Sequence, residues 1–344
     1  MAEHALKCPQ CNAPLPASRF ASSVLCPFCG TTVLLDEQAV PAARFRQAFA
    51  AWNAPENHGF TSWASFGGSG GSGGSHWATG ELVARGEVSD VYAARRARWP
   101  TERALLKVLR DRRDAPAFEH EWEVLTTLQE GAAADAGSFA NRLPQPILHG
   151  DVTTGTSAGA RAMVLRWADG FRHTFEDVER AYPGGIEPRA SIWIWRRILE
   201  TLAFLHQSGF VHGAVLPQHL LVEDGEHGVR LVGYRAADRP GARLRDVCAR
   251  CERFYPKALL ARRELQPAAD LAMSARCLAA LLGGDPATGA VPGAVPAPLA
   301  DEIGRVSSLA SGDAASESWA LRERLGELAR EVFGPPTFCP LRMP

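Results

Sequence analysis

The sequence predicts an α+β protein in which a small metal-binding module precedes a larger domain of two parts. Three observations lead to this prediction. Two Cys-x-x-Cys pairs lie within the first 30 residues, segments with strand character dominate from residue 76 to about 170, and segments with helix character follow to about residue 334. A chain of 344 residues corresponds to about two domains, so one sizeable hydrophobic core is expected beside the small module.

The overall composition is that of a globular protein, with 46% hydrophobic and 22% charged residues. The 37 basic and 38 acidic residues balance, so no net electrostatic field attracts the chain to nucleic acid or to an anionic membrane. No apolar run reaches the roughly 18 residues of a membrane span, and the N-terminal residues lack the features of a signal peptide. We therefore expect a cytoplasmic protein with neither a nucleic-acid nor a membrane partner.

Changes in composition divide the chain into five segments. These are a cysteine-rich module (1–36), a linker (37–75), a strand-rich part (76–170), a helix-rich part (171–334) and a Pro-rich tail (335–344). Phe45, Phe49 and Trp52 share one face of a predicted linker helix, which is expected to pack on the protein itself, with a partner site as the alternative. The tract 67–75 repeats Gly-Gly-Ser so regularly that it resembles an engineered loop, and we assign it no function.

The N-terminal module carries two cysteine knuckles, Cys8-Pro-Gln-Cys11 and Cys26-Pro-Phe-Cys29, separated by 14 residues. In a reducing compartment such pairs indicate a metal site rather than disulfides. Four thiolates close a tetrahedron around one Zn2+ and leave no open position for catalysis. The following apolar stretch, 31–35, is a predicted strand, and the segment resembles a zinc ribbon. Because so few residues cannot bury an adequate core, bound zinc is expected to supply the folding free energy.

A third pair, Cys248 and Cys251, has no second pair at matching spacing. We therefore expect free or buried thiols at these positions. A second metal site or a redox site is the alternative.

Three residues of the strand-rich part carry a recognisable pattern. Gly86 lies in a turn between two predicted strands, Lys107 interrupts the next apolar strand, and Glu121 lies on the helix face that can reach back to Lys107. The chain has only three lysines against 34 arginines, so composition does not account for a lysine at this position. The pattern resembles a eukaryotic-type protein kinase. The resemblance implies a bilobal kinase-like fold in which the lysine holds nucleotide phosphates and pairs with the glutamate.

The resemblance extends through the rest of the chain in the same order. Residues 162–170 resemble the last strand and the hinge, and residues 212–222 resemble the catalytic loop. The other matching segments are a helix over 191–208, residues 229–235, residues 254–260 and a helix over 267–282. Asp270 matches the residue that caps the backbone of the catalytic loop. Leu125, His212 and Tyr234 match an apolar stack that joins the two lobes of the family.

The departures from the kinase pattern concern catalysis. Kinases have His-Arg-Asp-x-x-x-x-Asn where this chain has His212-Gly213-Ala214 and then His219 at the Asn position. Ala214 replaces the catalytic carboxylate, and Gly233 replaces the Asp of Asp-Phe-Gly, the main magnesium ligand. His219 is a poor substitute for Asn, because Mg2+ prefers oxygen ligands. Loss of the base alone costs about 100- to 10,000-fold in rate, so ordinary phosphotransfer is not expected.

Gly86, Lys107 and Glu121 remain as traces of a nucleotide site. One interpretation is an ion pair that only clamps the helix to the sheet. The other is a residual pocket for ATP or another nucleotide, without Mg2+.

Three further segments, 181–188, 211–217 and 333–336, resemble bacterial proteins that combine a zinc ribbon with a kinase-like domain. This resemblance implies a catalytically inactive pseudokinase that acts as a protein-binding scaffold or allosteric regulator in a bacterial signalling or stress-response module. The implied partners are von Willebrand factor A-type proteins or phosphatases of the same module. The ribbon would be a second docking module.

The alternative function is that of a nucleotide-binding enzyme with atypical transfer chemistry. Such an enzyme needs a replacement metal site, for which His219, Glu223 and Asp224 are weak candidates. Nucleic-acid binding through the ribbon is disfavoured, because residues 1–36 contain only Lys7 and Arg19 as fixed cations.

Overall fold

The computed structural model describes a defined subset of the chain. The residues that it describes are 23–25, 32–34, 60–67, 75–97, 103–135, 142–168, 170–223, 228–309, 314–337, 339 and 341–343. The four predicted zinc ligands, the predicted linker helix with Phe45, Phe49 and Trp52, and Asp224 lie outside these residues. The described residues form two compact units, one of residues up to Thr126 with 144–168 and one of 127–143 with residues from 170 onward.

The strands of the described residues form three sheets. Their bounds are β1 Ser23–Leu25, β2 Thr32–Leu34, β3 Ser62–Phe66, β4 Ser75–Arg85, β5 Ser89–Arg96, β6 Arg103–Leu109, β7 Pro146–Gly155, β8 Arg161–Arg166, β9 Phe171–Thr174, β10 Leu220–Glu223 and β11 Val229–Leu231. Strands β1 and β2 pair as an antiparallel hairpin on either side of the second cysteine knuckle. Strands β3 to β8 close a barrel in the order β3-β4-β5-β6-β8-β7, and β9 to β11 form a small sheet.

The barrel encloses its own hydrophobic core. Its members are Ala64, Phe66, Trp77, Ala94, Ala104, Leu106, Val108, Val152, Ala162 and Val164. Because side chains alternate along a strand, Leu106 and Val108 point to this core and Lys107 points to the outer face of the barrel. Strand β6 pairs with β5 and β8 so that Lys107 lies opposite Val91 on one side and Met163 on the other.

The first strand of the barrel lies within the segment that the sequence assigns to the linker. Strand β3 pairs with β4 so that Phe66 lies opposite Ser75, and the Gly-Gly-Ser tract connects these two paired strands. The barrel therefore includes Ser62–Phe66, which lies before the boundary expected at residue 76. The strand is short, Trp63 on it is 57% exposed, and glycines follow it at once, so its pattern gives little signal of a buried strand.

The described α-helices lie between residues 115 and 333. Their bounds are α1 Ala115–Asp135, α2 Phe175–Ala181, α3 Pro188–Gln207, α4 Lys257–Arg262, α5 Pro267–Leu281, α6 Ala297–Ser307 and α7 Ala314–Phe333. Helices α3 and α5 match the helices predicted at 191–208 and 267–282. Helix α3 packs against α5 and α7, and most of its residues are buried. Within the described parts of the chain, no helix has the length and apolarity needed to cross a membrane.

One carboxylate in α3 is buried among three arginines. The Glu200 side chain accepts hydrogen bonds from Arg142 at 2.6 Å, from Arg197 at 3.3 Å and from Arg322 at 3.0 Å. Burial alone would raise the pKa of Glu200, but the three guanidinium groups hold that pKa below its usual value. Arg142 lies in the segment 127–143, which the sequence assigns to the strand-rich part and which packs instead with the helical unit.

Candidate functional site

The ion pair expected between Lys107 and Glu121 is formed. The Lys107 Nζ atom lies 2.5 Å from Glu121 Oε2, and both side chains are largely buried, with 14% and 3% exposure. Strand β6 presents Lys107 on the outer face of the barrel, and α1 presents Glu121 toward it from its second turn. This pair therefore fixes the N-terminal half of α1 to the barrel, and it places a cation next to strands β5 and β8.

The turn after β4 is held by an arginine that the sequence did not single out. The Arg110 guanidinium donates to the carbonyl oxygens of Gly86, at 2.7 Å, and Glu87, and to Asp90 Oδ1 at 2.8 Å. The Gly86 N–H donates to the Ser89 carbonyl at 2.9 Å. The carbonyl groups of the turn are thus clamped by one side chain from the end of β6. The only signal in the sequence is a cation three residues after Lys107, which is too common in this arginine-rich chain to be informative.

In the helical unit, Asp270 organises the segment that follows α3. Its carboxylate accepts hydrogen bonds from the backbone N–H groups of His212, at 2.7 Å, and Gly213, at 2.9 Å, and His206 Nε2 lies 3.0 Å away. Asp270 is fully buried, and these donors compensate for the loss of its hydration. The capping role expected of Asp270 is confirmed.

The ring of His212 is fixed in one tautomer by its backbone contacts. His212 Nδ1 accepts from the Ala214 N–H at 3.2 Å, and Nε2 lies 3.2 Å from the Val232 carbonyl, which can only accept. The ring also meets Tyr234 edge to face, with centroids 4.7 Å apart. The stacking expected between His212 and Tyr234 is therefore present, whereas Leu125 belongs to the other compact unit.

The structure brings the three positions that depart from the kinase pattern into one packed group. His219 Nδ1 lies 2.8 Å from the Ala214 carbonyl oxygen, so this nitrogen carries the proton. The other edge of the imidazole lies over Gly233, where a Cβ would be 2.7 Å from both Cδ2 and Nε2 of His219. Gly233 has a left-handed backbone, with φ 79° and ψ 55°. The imidazole thus occupies the space that a side chain at position 233 would need.

This group does not fit a magnesium ion. Ala214 and Gly233 supply no side-chain oxygen, and the ring of His219 is held against the Ala214 carbonyl and the Gly233 backbone. Mg2+ requires oxygen ligands in near-octahedral geometry. Across the described ranges, no three His, Cys, Asp or Glu side chains lie close enough together to hold a metal ion. Of the candidate ligands for a replacement metal site, Glu223 is the last residue of β10, and Asp224 lies outside the residues that the structure describes.

A buried hydroxyl next to this group lacks a partner. The Tyr234 hydroxyl has no hydrogen-bond partner among the described residues, and Tyr234 is fully buried. Burial, together with the nearby Asp270 carboxylate, raises the pKa of Tyr234 well above its usual value. The phenol therefore stays protonated and contributes packing rather than proton transfer.

The cysteines of the helical unit are free thiols, as predicted. Cys248, Cys251 and Cys277 are buried and unbridged, and Gln218 contacts both Cys248 and Cys251 through its amide. Burial raises the pKa of Cys251 and raises that of Cys277 further. Thiols with raised pKa values are poor nucleophiles and poor metal ligands at neutral pH.

Comparison with known proteins gives limited information about family. No protein-family model matches the chain, and no curated protein sequence matches it. Among solved structures, the chain is similar to the crystal structure of a kinase domain, with 12% sequence identity and a TM-score of 0.48. The alignment covers 60% of this chain and 63% of the other, so the chain spans less than two thirds of that structure. The kinase-like interpretation therefore depends on the chain's own residues.

Proposed function

We propose that the chain is a catalytically inactive pseudokinase with a kinase-like fold, and that it acts as a protein-binding scaffold or allosteric regulator in a bacterial signalling or stress-response module. Two internal relationships support the fold. An ion pair joins a barrel-strand lysine to the following helix, and a buried aspartate caps the backbone after α3. Both occur in the order along the chain that the kinase pattern requires.

One observation carries the proposed inactivity. The His219 imidazole packs on Gly233 and contacts the Ala214 carbonyl, so the base and both metal-binding positions of a kinase are replaced by a single packed group without a carboxylate. Magnesium neutralises the charge of the transferring phosphoryl group, so its loss lowers the rate further, although the two effects are not additive in general. Transfer to a substrate hydroxyl then has neither its base nor its metal.

The remaining features are assigned to binding. Lys107 and Glu121 would hold a nucleotide without Mg2+, with Gly86 in the adjacent turn. Cys8, Cys11, Cys26 and Cys29 would hold a structural Zn2+ ion. We propose a cytoplasmic protein whose partners are von Willebrand factor A-type proteins or phosphatases of the same module, with the zinc ribbon as a second docking module.

Label transfer from [γ-32P]ATP tests the inactivity. The full chain, incubated with Mg2+ or Mn2+ and a mixture of acceptor proteins, should label neither itself nor an acceptor above the background seen with Lys107→Ala. Lys257→Ala is the matched control, because Lys257 is exposed. Label that disappears in Lys107→Ala and persists in Lys257→Ala would overturn the proposal.

A partner is tested by co-expression with a von Willebrand factor A-type protein and with a phosphatase encoded next to this chain. The proposal predicts a complex that survives size-exclusion chromatography at physiological salt. Recovery of the chain only as a lone monomer in both cases would contradict the scaffold role.

The second candidate is an enzyme with atypical transfer chemistry. The observation that favours it is the intact Lys107–Glu121 ion pair, which active kinases use to hold phosphates. Transfer of label from [α-32P]ATP, rather than from [γ-32P]ATP, would identify this chemistry as nucleotidyl transfer.

A further inference from the structure

An open cavity in the helical unit is lined mainly by arginines. Its volume is about 540 Å³, and its lining consists of Asp238, Arg243, Leu244, Arg245 and Arg263. Ligand pockets in proteins measure about 300 to 1,000 Å³, so this cavity has room for a substituted side chain and its flanking backbone. None of the lining residues belongs to the Ala214–His219–Gly233 group or to the Lys107–Glu121 pair.

The charges of the cavity do not balance. Arg245 donates to the Asp238 carboxylate at 2.9 Å, which satisfies one arginine. Arg243 and Arg263 are exposed, and neither forms an ion pair with any residue that the structure describes. The lining therefore keeps two positive charges without a counterpart, which matches the charge of a phosphate monoester.

The backbone beneath these arginines is rigid. Arg243 and Glu264 form an antiparallel bridge, the Leu244 N–H donates to the Arg263 carbonyl at 2.7 Å, and the Leu265 N–H donates to the Ala242 carbonyl at 2.8 Å. Asp238 is held by a second bridge, to Val211. The arginine side chains thus project from fixed backbone positions, which lowers the ordering cost of binding.

Arg263 occupies an unusual conformation for its residue type. Its φ is 55° and its ψ is 26°, and it is the only non-glycine residue with positive φ in the described part of the chain. Glycine would adopt this conformation without steric cost. The side chain is exposed, so packing does not account for an arginine here.

We propose that this cavity binds a phosphoryl group carried by a protein segment, with Arg243 and Arg263 as its principal ligands. A guanidinium offers paired N–H donors that match two phosphate oxygens, and such charge-assisted hydrogen bonds are among the stronger ones in proteins. The site would select a phosphorylated form of a partner, and it does not depend on whether the chain transfers phosphate itself.

Binding is measured by isothermal titration of the full chain with a phosphoserine peptide, the same peptide without phosphate, and inorganic phosphate. We expect the phosphopeptide to bind at least about tenfold more tightly than either of the others, and its affinity to fall as NaCl is raised. Arg243→Ala and Arg263→Gly should each weaken phosphopeptide binding by about tenfold or more. Arg330→Ala removes an exposed arginine from α7 and should leave the affinity unchanged.

Arg263→Gly separates binding from folding. Because glycine tolerates the left-handed backbone, this variant should unfold at the same temperature as the wild type or a higher one while losing affinity. Three results would overturn the proposal. These are no phosphopeptide binding at millimolar concentration, an equal loss of affinity in Arg330→Ala, and inorganic phosphate binding as tightly as the phosphopeptide, which would assign the cavity to a free anion.

Discussion

The imidazole of His219 lies where a side chain at position 233 would have to be, because a Cβ on Gly233 would come within 2.7 Å of two of its ring atoms. The absence of a side chain at 233 and the presence of an imidazole at 219 are therefore sterically linked. An aspartate introduced at 233 alone would force the ring to leave its place against the Ala214 carbonyl.

This contact predicts a large difference between two glycine substitutions. Gly233 and Gly241 both have positive φ, but a Cβ at Gly241 would meet nothing within 4 Å. Gly241→Ala should cost about 1 kcal/mol in the free energy of unfolding, from its backbone alone. Gly233→Ala should cost about 3 kcal/mol, since overpacking against His219 is added.

A double-mutant cycle isolates the contact. In a His219→Ala background, Gly233→Ala should cost no more than Gly241→Ala does in the wild type, as measured by urea unfolding. If Gly233→Ala keeps its full cost without the imidazole, His219 is not what fills this space.

The unpartnered hydroxyl of Tyr234 predicts a stabilising substitution. Tyr234→Phe removes a buried polar group without a partner and keeps the ring against His212, so the free energy of unfolding should rise by about 1 kcal/mol. Tyr255→Phe is the opposite case, because the Tyr255 hydroxyl accepts from the buried Cys248 N–H at 3.2 Å. That variant should lose about 1 to 3 kcal/mol. Thermal unfolding of both variants tests this prediction. A destabilised Tyr234→Phe variant would show that the Tyr234 hydroxyl has a hydrogen-bond partner.

The arginines around Glu200 predict a severe effect of neutralising one carboxylate. Glu200→Gln leaves the guanidinium groups of Arg142, Arg197 and Arg322 without their shared anion, and should cost about 3 to 5 kcal/mol in urea unfolding. Asp151→Asn is the control, because the Asp151–Arg112 pair is solvent-exposed and should contribute at most about 1 kcal/mol. Equal effects of the two substitutions would contradict the role given to Glu200.

Glu179 predicts a pH dependence of stability. Burial, together with the neighbouring Glu176 carboxylate, raises the pKa of Glu179 to about 7, although Arg253 lowers it in part. The folded protein therefore holds this proton between about pH 4.5 and pH 7, where the unfolded chain has released it, so stability falls as pH rises through this window. The shift corresponds to about 3 kcal/mol, and partial exposure of the side chain reduces the expected effect to about 1 kcal/mol.

Glu179→Gln should remove this dependence. The variant should match the wild type near pH 4.5 and exceed its stability by about 1 kcal/mol at pH 8. The control Glu327→Gln alters an exposed carboxylate of α7 and should show no pH-dependent difference. A constant difference between Glu179→Gln and the wild type across this range would rule out titration of Glu179.

The sequence predicted those parts of the molecule whose signals are local. The periodicity of α3 and α5, the lysine in β6 and the reach of Glu121 toward it depend on spacing within one or two elements. Asp270 could be placed because its segment matched the kinase pattern.

Other parts could not be predicted, because they depend on the packing of distant segments. The space that His219 fills at Gly233 requires the exact orientation of a ring, and the burial of Arg142 against Glu200 joins positions 58 residues apart. Strand β3 is too short for its alternation to be distinctive. The arginine-lined cavity depends on two backbone bridges and on the left-handed backbone conformation of Arg263, and no local sequence pattern predicts these features.

The most direct test of the proposed inactivity is the effect of Mg2+ on nucleotide binding. Thermal unfolding of the full chain is followed with ATP alone and with ATP plus Mg2+, against a Mg2+-only baseline. Because the group around His219 offers magnesium no oxygen side chain, any stabilisation by ATP should be the same with and without the metal. Stabilisation by ATP that appears only with Mg2+, and that Lys107→Ala abolishes, would contradict the proposed inactivity.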